Sequence, residues 1–305
     1  MLFMLLLSVL NLNVFCAVLP QPNPKITALL VKEIPANRFV LSKVEVKGLK
    51  QKFKFSTERL MIELIPVAKR NARPPISNYY VGAVGLTRSG RIIFGNNLEF
   101  KGAPISATVH AEQFLSVLSF IDNDRLEKIA VSAEPCGYCR QFLNEISGAL
   151  KTLKILVPGK SPKYLGALLP DSFGPDNLKI NVSIYAQRDN KIDIKSGIKN
   201  ELVINAIKNA NISYAPYSES YSGISLRLKD GTIFNGFYIE NAAFNPSINP
   251  LTVAIIKMVS EDRQYDQIKE VVLFEKKYAM VKQEELSRII LKAIAPRAKF
   301  KVVHD

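Results

Sequence analysis

Two residue types on which metal and redox chemistry depend are scarce in this chain of 305 residues. It has two histidines, His110 and His304, and three cysteines, Cys16, Cys136 and Cys139. Three cysteines exclude a disulfide framework. A Cys-x-x-Cys pair in such a chain suits a reducing compartment, where it binds metal or does redox work. Long apolar runs are missing too. Only MLFMLLLSVLNLNVFCAVLPQP at the N-terminus is apolar for most of its length, and Asn11 and Asn13 interrupt it, which argues against a membrane span. It is similar to a secretory leader with a cleavage site after Cys16 or Ala17, yet no lysine or arginine precedes the apolar core. A start codon placed too far upstream, or an apolar segment packed on the fold, accounts for it equally. No later segment is long and apolar enough to cross a bilayer.

What is present reads as a globular chain. Apolar residues make up 48% and charged residues 22%, which leaves room for a sizeable core in one large domain or two smaller ones. A net charge of +14 with a pI near 9.6 raises the prospect of nucleic acid or another acidic partner. The basic residues are spread along the chain, however, with one modest cluster at KGLKQKFKF, Lys47 to Phe55. A basic exterior explains them without a nucleic-acid site.

After a loosely patterned stretch to about Lys50, STERLMIELIPVAKRNA predicts a helix capped by Ser56 or Thr57 and bent or ended by Pro66. PPISNYYVGAVGL and GRIIFGNNLEF predict two strands joined by a turn at TRSG. HAEQFLSVLSFI has helical spacing, with Phe114, Leu115, Leu118 and Ile121 on one side. LEKIAVSAE reads as a strand, PCGYCRQFLNEI as a helix opened by a proline, and LKTLKILVP as another strand. This alternation predicts an α/β sandwich. Residues 161–197, richer in Pro, Gly, Asp and Asn, read as a linker arm, and ELVINAIKNAN then starts the pattern again.

The second pattern repeats the first literally. SNYYVGAVGLTRSGRIIFGNNLEF from Ser77 lies without gaps on SESYSGISLRLKDGTIFNGFYIEN from Ser218. Gly82 meets Gly223, Gly90 meets Gly231, Gly95 meets Gly236 and Glu99 meets Glu240, each 141 residues further on. Continued at that offset, His110 meets Leu251, Glu112 meets Val253, Cys136 meets Lys277 and Cys139 meets Met280. The second copy therefore reads as a retained fold with an emptied site.

His110, Glu112, Cys136 and Cys139 form H-x-E, a gap, then P-C-x-x-C. Cys136 and Cys139 stand one turn apart at a helix N-terminus, where the dipole and free amides favour thiolate. Two thiolates and one imidazole suit tetrahedral zinc, and neither His304 near the chain end nor Cys16 in the leader is placed to close the set. Three protein ligands leave an open position for water, the catalytic form of a zinc site. Glu112, beside a ligand but not itself one, can take that water's proton and pass it to a substrate nitrogen.

This pattern marks the zinc nucleobase deaminases. Within them the chain resembles the cytidine deaminases, and more narrowly the homodimeric form of plants and enteric bacteria, in which a catalytic domain precedes a degenerate second copy. The resemblance covers about residues 55–303, on ISNYYVGAVGL, FGNNLEF, TVHAEQFL, PCGYCRQFLNEI, LPDSFGPDNL, YAPYSESYSGISL and YIENAAFNP. It implies a duplicated three-layer α/β/α sandwich, one zinc ion per subunit held by His110, Cys136 and Cys139, and Glu112 as proton shuttle. It also implies that Asn97 and Glu99 bind the ribose hydroxyls and that Tyr79, where the family usually has phenylalanine, packs on the pyrimidine. Ala111 would offer backbone hydrogen bonds to the base, and Arg140 would offset the thiolate charge. Phe173 would reach the active site of the neighbouring subunit, so a homodimer is expected. Two departures stand out: Tyr138 replaces a common histidine, and Glu134 puts a negative charge beside two thiolates.

The expected organisation is an apolar leader or signal-like segment over 1–22, a catalytic unit over 23–160, the linker arm over 161–197 and a degenerate unit over 198–305. The expected activity is hydrolysis of cytidine and 2′-deoxycytidine to the uridines, a reaction of pyrimidine salvage. That chemistry and the reduced thiols place it in the cytoplasm, or outside the cell if the leader is genuine. Two other readings share the motif: a polynucleotide cytosine deaminase, which an acidic Glu99 would disfavour by repelling phosphates, and an inactive nucleoside-binding protein. No stable nucleic-acid binding and no membrane span are expected.

Overall fold

The computed structural model describes residues 18–305, so residues 1–17 of the expected leader, Cys16 among them, lie outside the described residues. From Val18 onward the chain is already fastened to the fold. Gly159 N donates to Leu19 O at 2.9 Å, and Leu19 N to Lys160 O at 3.0 Å. Among the described residues no helix is long and apolar enough to cross a membrane.

The stretch before Lys50, loosely patterned in sequence, holds α1 (Pro24–Glu33), the short β1 (Val40–Leu41) and most of α2 (Lys43–Phe53). Only Leu30 of α1 is buried, which leaves little periodicity to read. Their signals are the caps: Asn23 accepts from Lys25 N and Ile26 N, and Ser42 forms a capping box with Glu45. α3 (Thr57–Lys69) is capped by Ser56, and Pro66 does not end it. The hairpin β2 (Gly82–Thr87) and β3 (Ile92–Asn96) follows, then α4 (Ala111–Ile121), β4 (Leu126–Val131), α5 (Gly137–Leu143) and α6 (Ala149–Thr152). β5 (Lys154–Leu156), β6 (Lys163–Tyr164) and α7 (Leu165–Leu168) complete this half.

The first sheet has the order β1-β3-β2-β4-β5-β6, with β4 and β5 parallel and the other neighbours antiparallel. Two glycines show its layers. A Cβ on Gly82 would stand 2.5 Å from Lys69 N of α3, and one on Gly95 2.2 Å from Ala111 O of α4. Helices thus press on both faces, giving an α/β/α sandwich. α4 is not the one-sided helix its spacing suggests. Residues 111–120 are buried all round, because its outer side meets the second unit. Ser116 and Ser119 are tolerated there by returning hydrogen bonds to Glu112 O and Ser116 O.

The sheet continues through β6 into the expected arm, where Tyr185 joins its hydroxyl to Ser119 and accepts from Leu126 N. The second half comprises α8 (Glu201–Asn211), β7 (Ser222–Leu228), β8 (Ile233–Phe237), α9 (Pro250–Ser260), β9 (Ile268–Glu275), α10 (Glu284–Ile294) and β10 (Lys299–Val303). Its sheet, β10-β9-β7-β8, repeats the β5-β4-β2-β3 core of the first, including a register shift at Arg227/Leu228 that matches Leu86/Thr87. The fold is duplicated.

The gapless register ends at the hairpin. Leu98 bridges Val109, while its counterpart Ile239 bridges Ile248. Likewise Gly95 faces Ala111 O, while Gly236 faces Pro250 O at 2.1 Å. The second copy's loop is two residues shorter, so His110 corresponds to Asn249 and Glu112 to Leu251, not to Leu251 and Val253 as a constant offset predicts.

Candidate active site

Two helix starts converge on the site. His110 is the N-cap of α4, where its backbone N–H donates to the Gln113 side chain at 3.1 Å. β4 then ends at Val131, and the chain turns through buried Pro135 so that Cys136 caps α5 and Cys139 lies in its first turn. His110 Nδ1 is 3.2 Å from Cys139 Sγ and 3.5 Å from Cys136 Sγ, and the ligand atoms all lie within 4.8 Å of one another. Tetrahedral zinc, at about 2.3 Å from sulfur and 2.1 Å from nitrogen, separates such atoms by about 3.6 Å. The donor set and its spacing fit the ion.

The charges fit as well. Hydrogen bonds from Cys139 and His110 push the Cys136 thiol down to about 3, so it is a thiolate at neutral pH. Its bond to Cys136, followed by burial, pushes the Cys139 thiol up. The contact with Cys136 raises His110. Burial raises Glu112, whose carboxyl is enclosed beside Cys139.

These groups border a cavity of about 250 Å³ whose lining includes His110, Ala111, Glu112, Cys136, Asn97, Glu99 and Tyr79. Ala111 opens α4, so its backbone N–H is one the helix leaves free. Asn97 accepts from Val81 N and donates to Tyr79 O, both at 2.9 Å, which ties the wall together. Glu99 accepts from Ile76 N at 2.8 Å, Ser77 N at 2.9 Å and Ser77 Oγ at 2.5 Å. Burial pushes Glu99 up, but these bonds win and hold it below the usual carboxylate range. Tyr79 is 61% exposed at the mouth. Phe173 is not in the lining; it is 47% exposed and its carbonyl accepts from Gln141 and Asn144.

The neighbours of the ligands are accounted for. Glu134 pairs with Lys160 at the rim, which draws its charge away from the thiolates. Arg140 donates to Pro135 O at 2.7 Å and Leu168 O at 2.9 Å, bracing the turn into α5. Tyr138 lies with its ring centroid 5.8 Å from that of His110. Ser77 also lines the cavity and is a residue the motifs did not single out. Its signal was in the repeat, where Ser77 lies on Ser218.

In the second unit the residue at the place of His110 is engaged in hydrogen bonds of its own. Asn249 caps α9 through Leu251 N and donates to both Gln283 O and Gln283 Oε1, and Ser287 donates to Asn249. No helix starts at the place of α5 until Glu284.

A sandwich with one imidazole and two thiols at converging helix starts, and a buried carboxyl beside them, has the construction of a zinc-dependent nucleobase deaminase. Two family models, both described as the cytidine and deoxycytidylate deaminase zinc-binding region, match residues 55–154 and 165–288. The cytidine deaminase of Serratia proteamaculans is 39% identical over 256 residues, 84% of this chain and 86% of its own. Cytidine deaminase 1 of Arabidopsis thaliana is 39% identical over 293 residues, 87% of this chain and 97% of its own. A solved cytidine deaminase from Mycobacterium tuberculosis is 36% identical and covers 35% of this chain and 89% of its own, with a TM-score of 0.31. The chain belongs to the cytidine and deoxycytidylate deaminase family, with zinc as its metal.

Proposed function

We propose that this protein hydrolyses cytidine and 2′-deoxycytidine to uridine and 2′-deoxyuridine, releasing ammonia, in pyrimidine salvage. The observation that carries the proposal is the meeting of His110, Cys136 and Cys139 beside buried Glu112 in one cavity. Relatives that bear the name cytidine deaminase over most of both chains support it.

Zinc, held by His110, Cys136 and Cys139, would supply an activated water at neutral pH. Glu112 takes one proton from the attacking water and places it on N3 as the oxygen adds at C4, then carries the proton of the new C4 hydroxyl to the amine, so that the C4–N bond breaks, ammonia leaves and the carbonyl of uridine forms. Its burial raises its pKa, which makes proton return easier. The Ala111 N–H faces the base, and Tyr79 covers the ring at the mouth. Of Glu99's lone pairs, two on Oε2 and one on Oε1 are already taken by the 76–77 loop, leaving one on Oε1 for a ribose hydroxyl. Asn97 offers its second amide hydrogen to the same sugar.

The protein works as a homodimer in the cytoplasm. Exposed aromatic side chains around the site support the dimer: Tyr79, Phe173, and Phe244 at 59% exposure. Phe173, outside its own cavity, is then free to reach the partner's. Residues 23–160 with the strand and helix that follow act as the catalytic unit, and residues 198–305 as the degenerate one.

The deciding experiment measures uridine formed from cytidine by the wild type and by Glu112→Ala, with zinc content determined for both. Glu112→Ala is expected to keep zinc and lose about a hundredfold or more in turnover. Unchanged turnover sinks the assignment. Ammonia release from a short single-stranded oligonucleotide, rather than from cytidine, would instead make the substrate a polynucleotide.

A further inference from the structure

The half without ligands is fastened to the helix that carries Cys139. Three side chains of α5 and the turn after it meet one loop of the second unit. Tyr138 Oη donates to Asn245 O at 2.6 Å. Asn241 Nδ2 donates to Gln141 O at 3.2 Å, and Gln141 Nε2 to Asn241 Oδ1 at 3.5 Å. Glu145, only 2% exposed, accepts from Tyr214 Oη at 2.7 Å, Tyr217 Oη at 2.5 Å and Ala242 N at 2.9 Å.

A carboxylate taken out of water is costly unless its lone pairs are filled. Here the second unit donates to both oxygens, twice to Oε1 and once to Oε2. Tyr217 is itself placed by Glu240, the counterpart of Glu99, which accepts from Tyr217 N at 2.8 Å. Ala242 N binds Glu145 at one end of the loop, and Asn245 O holds Tyr138 at the other. Between them Phe244 sits at φ 58°, a left-handed conformation that a bulky residue adopts only when its surroundings impose it. The loop's shape therefore depends on both anchors, and through Tyr138 it ends against the His110 ring.

We propose that Glu145 is a positioning residue for deamination: by fixing the 241–245 loop it sets Tyr138 against His110 and so aligns the ligand-bearing start of α5. This rests on the deaminase reading above. The degenerate unit then survives as the mould for the metal-bearing helix, not as ballast.

The test is a double-mutant cycle on the zinc-loaded full chain: Glu145→Gln, Tyr138→Phe and both together, measured for zinc content, thermal midpoint, kcat and KM with cytidine. Glutamine keeps the size and an acceptor for the tyrosines but turns an amide donor toward Ala242 N–H. Each single change is expected to retain zinc and lower kcat by about tenfold, with KM moving less, and the double variant to be no worse than the worse single. A lowered thermal midpoint with unchanged kcat, or losses that multiply, overturns the proposal by reducing Glu145 to a structural staple. If Glu145→Gln does not hold zinc, Tyr217→Phe replaces it in the cycle, with the same coupling expected. A wild type that forms no uridine overturns the deaminase reading too, whereas an active wild type with uncoupled variants overturns only the positioning role.

Discussion

Glu99 holds Ser77 twice, through its backbone N–H and through its hydroxyl, and Glu240 holds Ser218 in the same way at 3.1 and 2.6 Å. The pairs recur 141 residues apart, in a unit with ligands and in one without. The first task of this acid is therefore to close the loop before β2, and in the first unit the loop it closes is a cavity wall. Glu99→Gln removes the charge that strengthens these bonds and makes the Ser77 hydroxyl accept where it had donated, a cost of about 1–3 kcal/mol. The expected result is a thermal midpoint lower by a few degrees and a KM for cytidine raised more than kcat falls. A change in kcat alone would contradict it.

Gly95→Ala and Gly236→Ala separate packing from chemistry. In both places the added methyl meets a carbonyl oxygen of the overlying helix, at 2.2 Å on Ala111 and 2.1 Å on Pro250. Each is expected to cost about 1–3 kcal/mol of stability. Only Gly95→Ala pushes on the turn that carries His110 and Glu112, so only it should also reduce kcat strongly in folded, zinc-loaded protein. Equal effects on kcat would mean that the helix start is not what orients the pair.

The chemistry-bearing residues were readable because each sits in a dense local motif, and the duplication because glycines at tight helix–strand contacts and at turns with positive φ cannot change. Gly90 and Gly231, at φ 89° and 92°, are of the second kind. The two-residue contraction between Glu240 and Asn249 was not readable, since that loop carries no glycine to fix the register. Nor was the burial of α4 on all sides, because its outer face is covered by a unit distant in sequence. Glu145 lies inside PCGYCRQFLNEI, but nothing in that stretch sets it apart from its neighbours. It looks like a solvent-facing acid after a short helix, and its tyrosine partners are 69 and 72 residues away.

Metal removal tests the ligand set independently of substrate. Stripping the protein with a strong chelator is expected to abolish uridine formation and to lower the thermal midpoint, since an ion bound only by the folded state adds about 4 kcal/mol at a thousand times its Kd. Zinc should restore both and magnesium neither, given two sulfur ligands. Cys139→Ala should behave like the stripped protein and gain nothing from added zinc. Full activity after verified zinc removal would refute the metal assignment.

Glu99 and Glu145 should impose opposite pH dependences on stability. Glu99 is held below the usual carboxylate range, because the bonds from Ser77 and Ile76 outweigh its burial. Its contribution is present above the unfolded value of about 4.3 and is lost as the pH falls through the lower folded value. Glu145 is held above that range by burial, despite its three donors. Protonation therefore favours the folded state there, and that contribution is complete below about pH 4.3 and disappears as the pH rises through the folded value. Denaturant unfolding of wild type, Glu99→Gln and Glu145→Gln between about pH 3.5 and 7 reads both at once. The gap between wild type and Glu99→Gln should shrink toward acid, and the gap to Glu145→Gln should shrink toward neutral pH. All three are compared without zinc, so that loss of the ion in acid does not enter the differences. Two gaps that move in the same direction would show that one of the two carboxylates is not in the environment described.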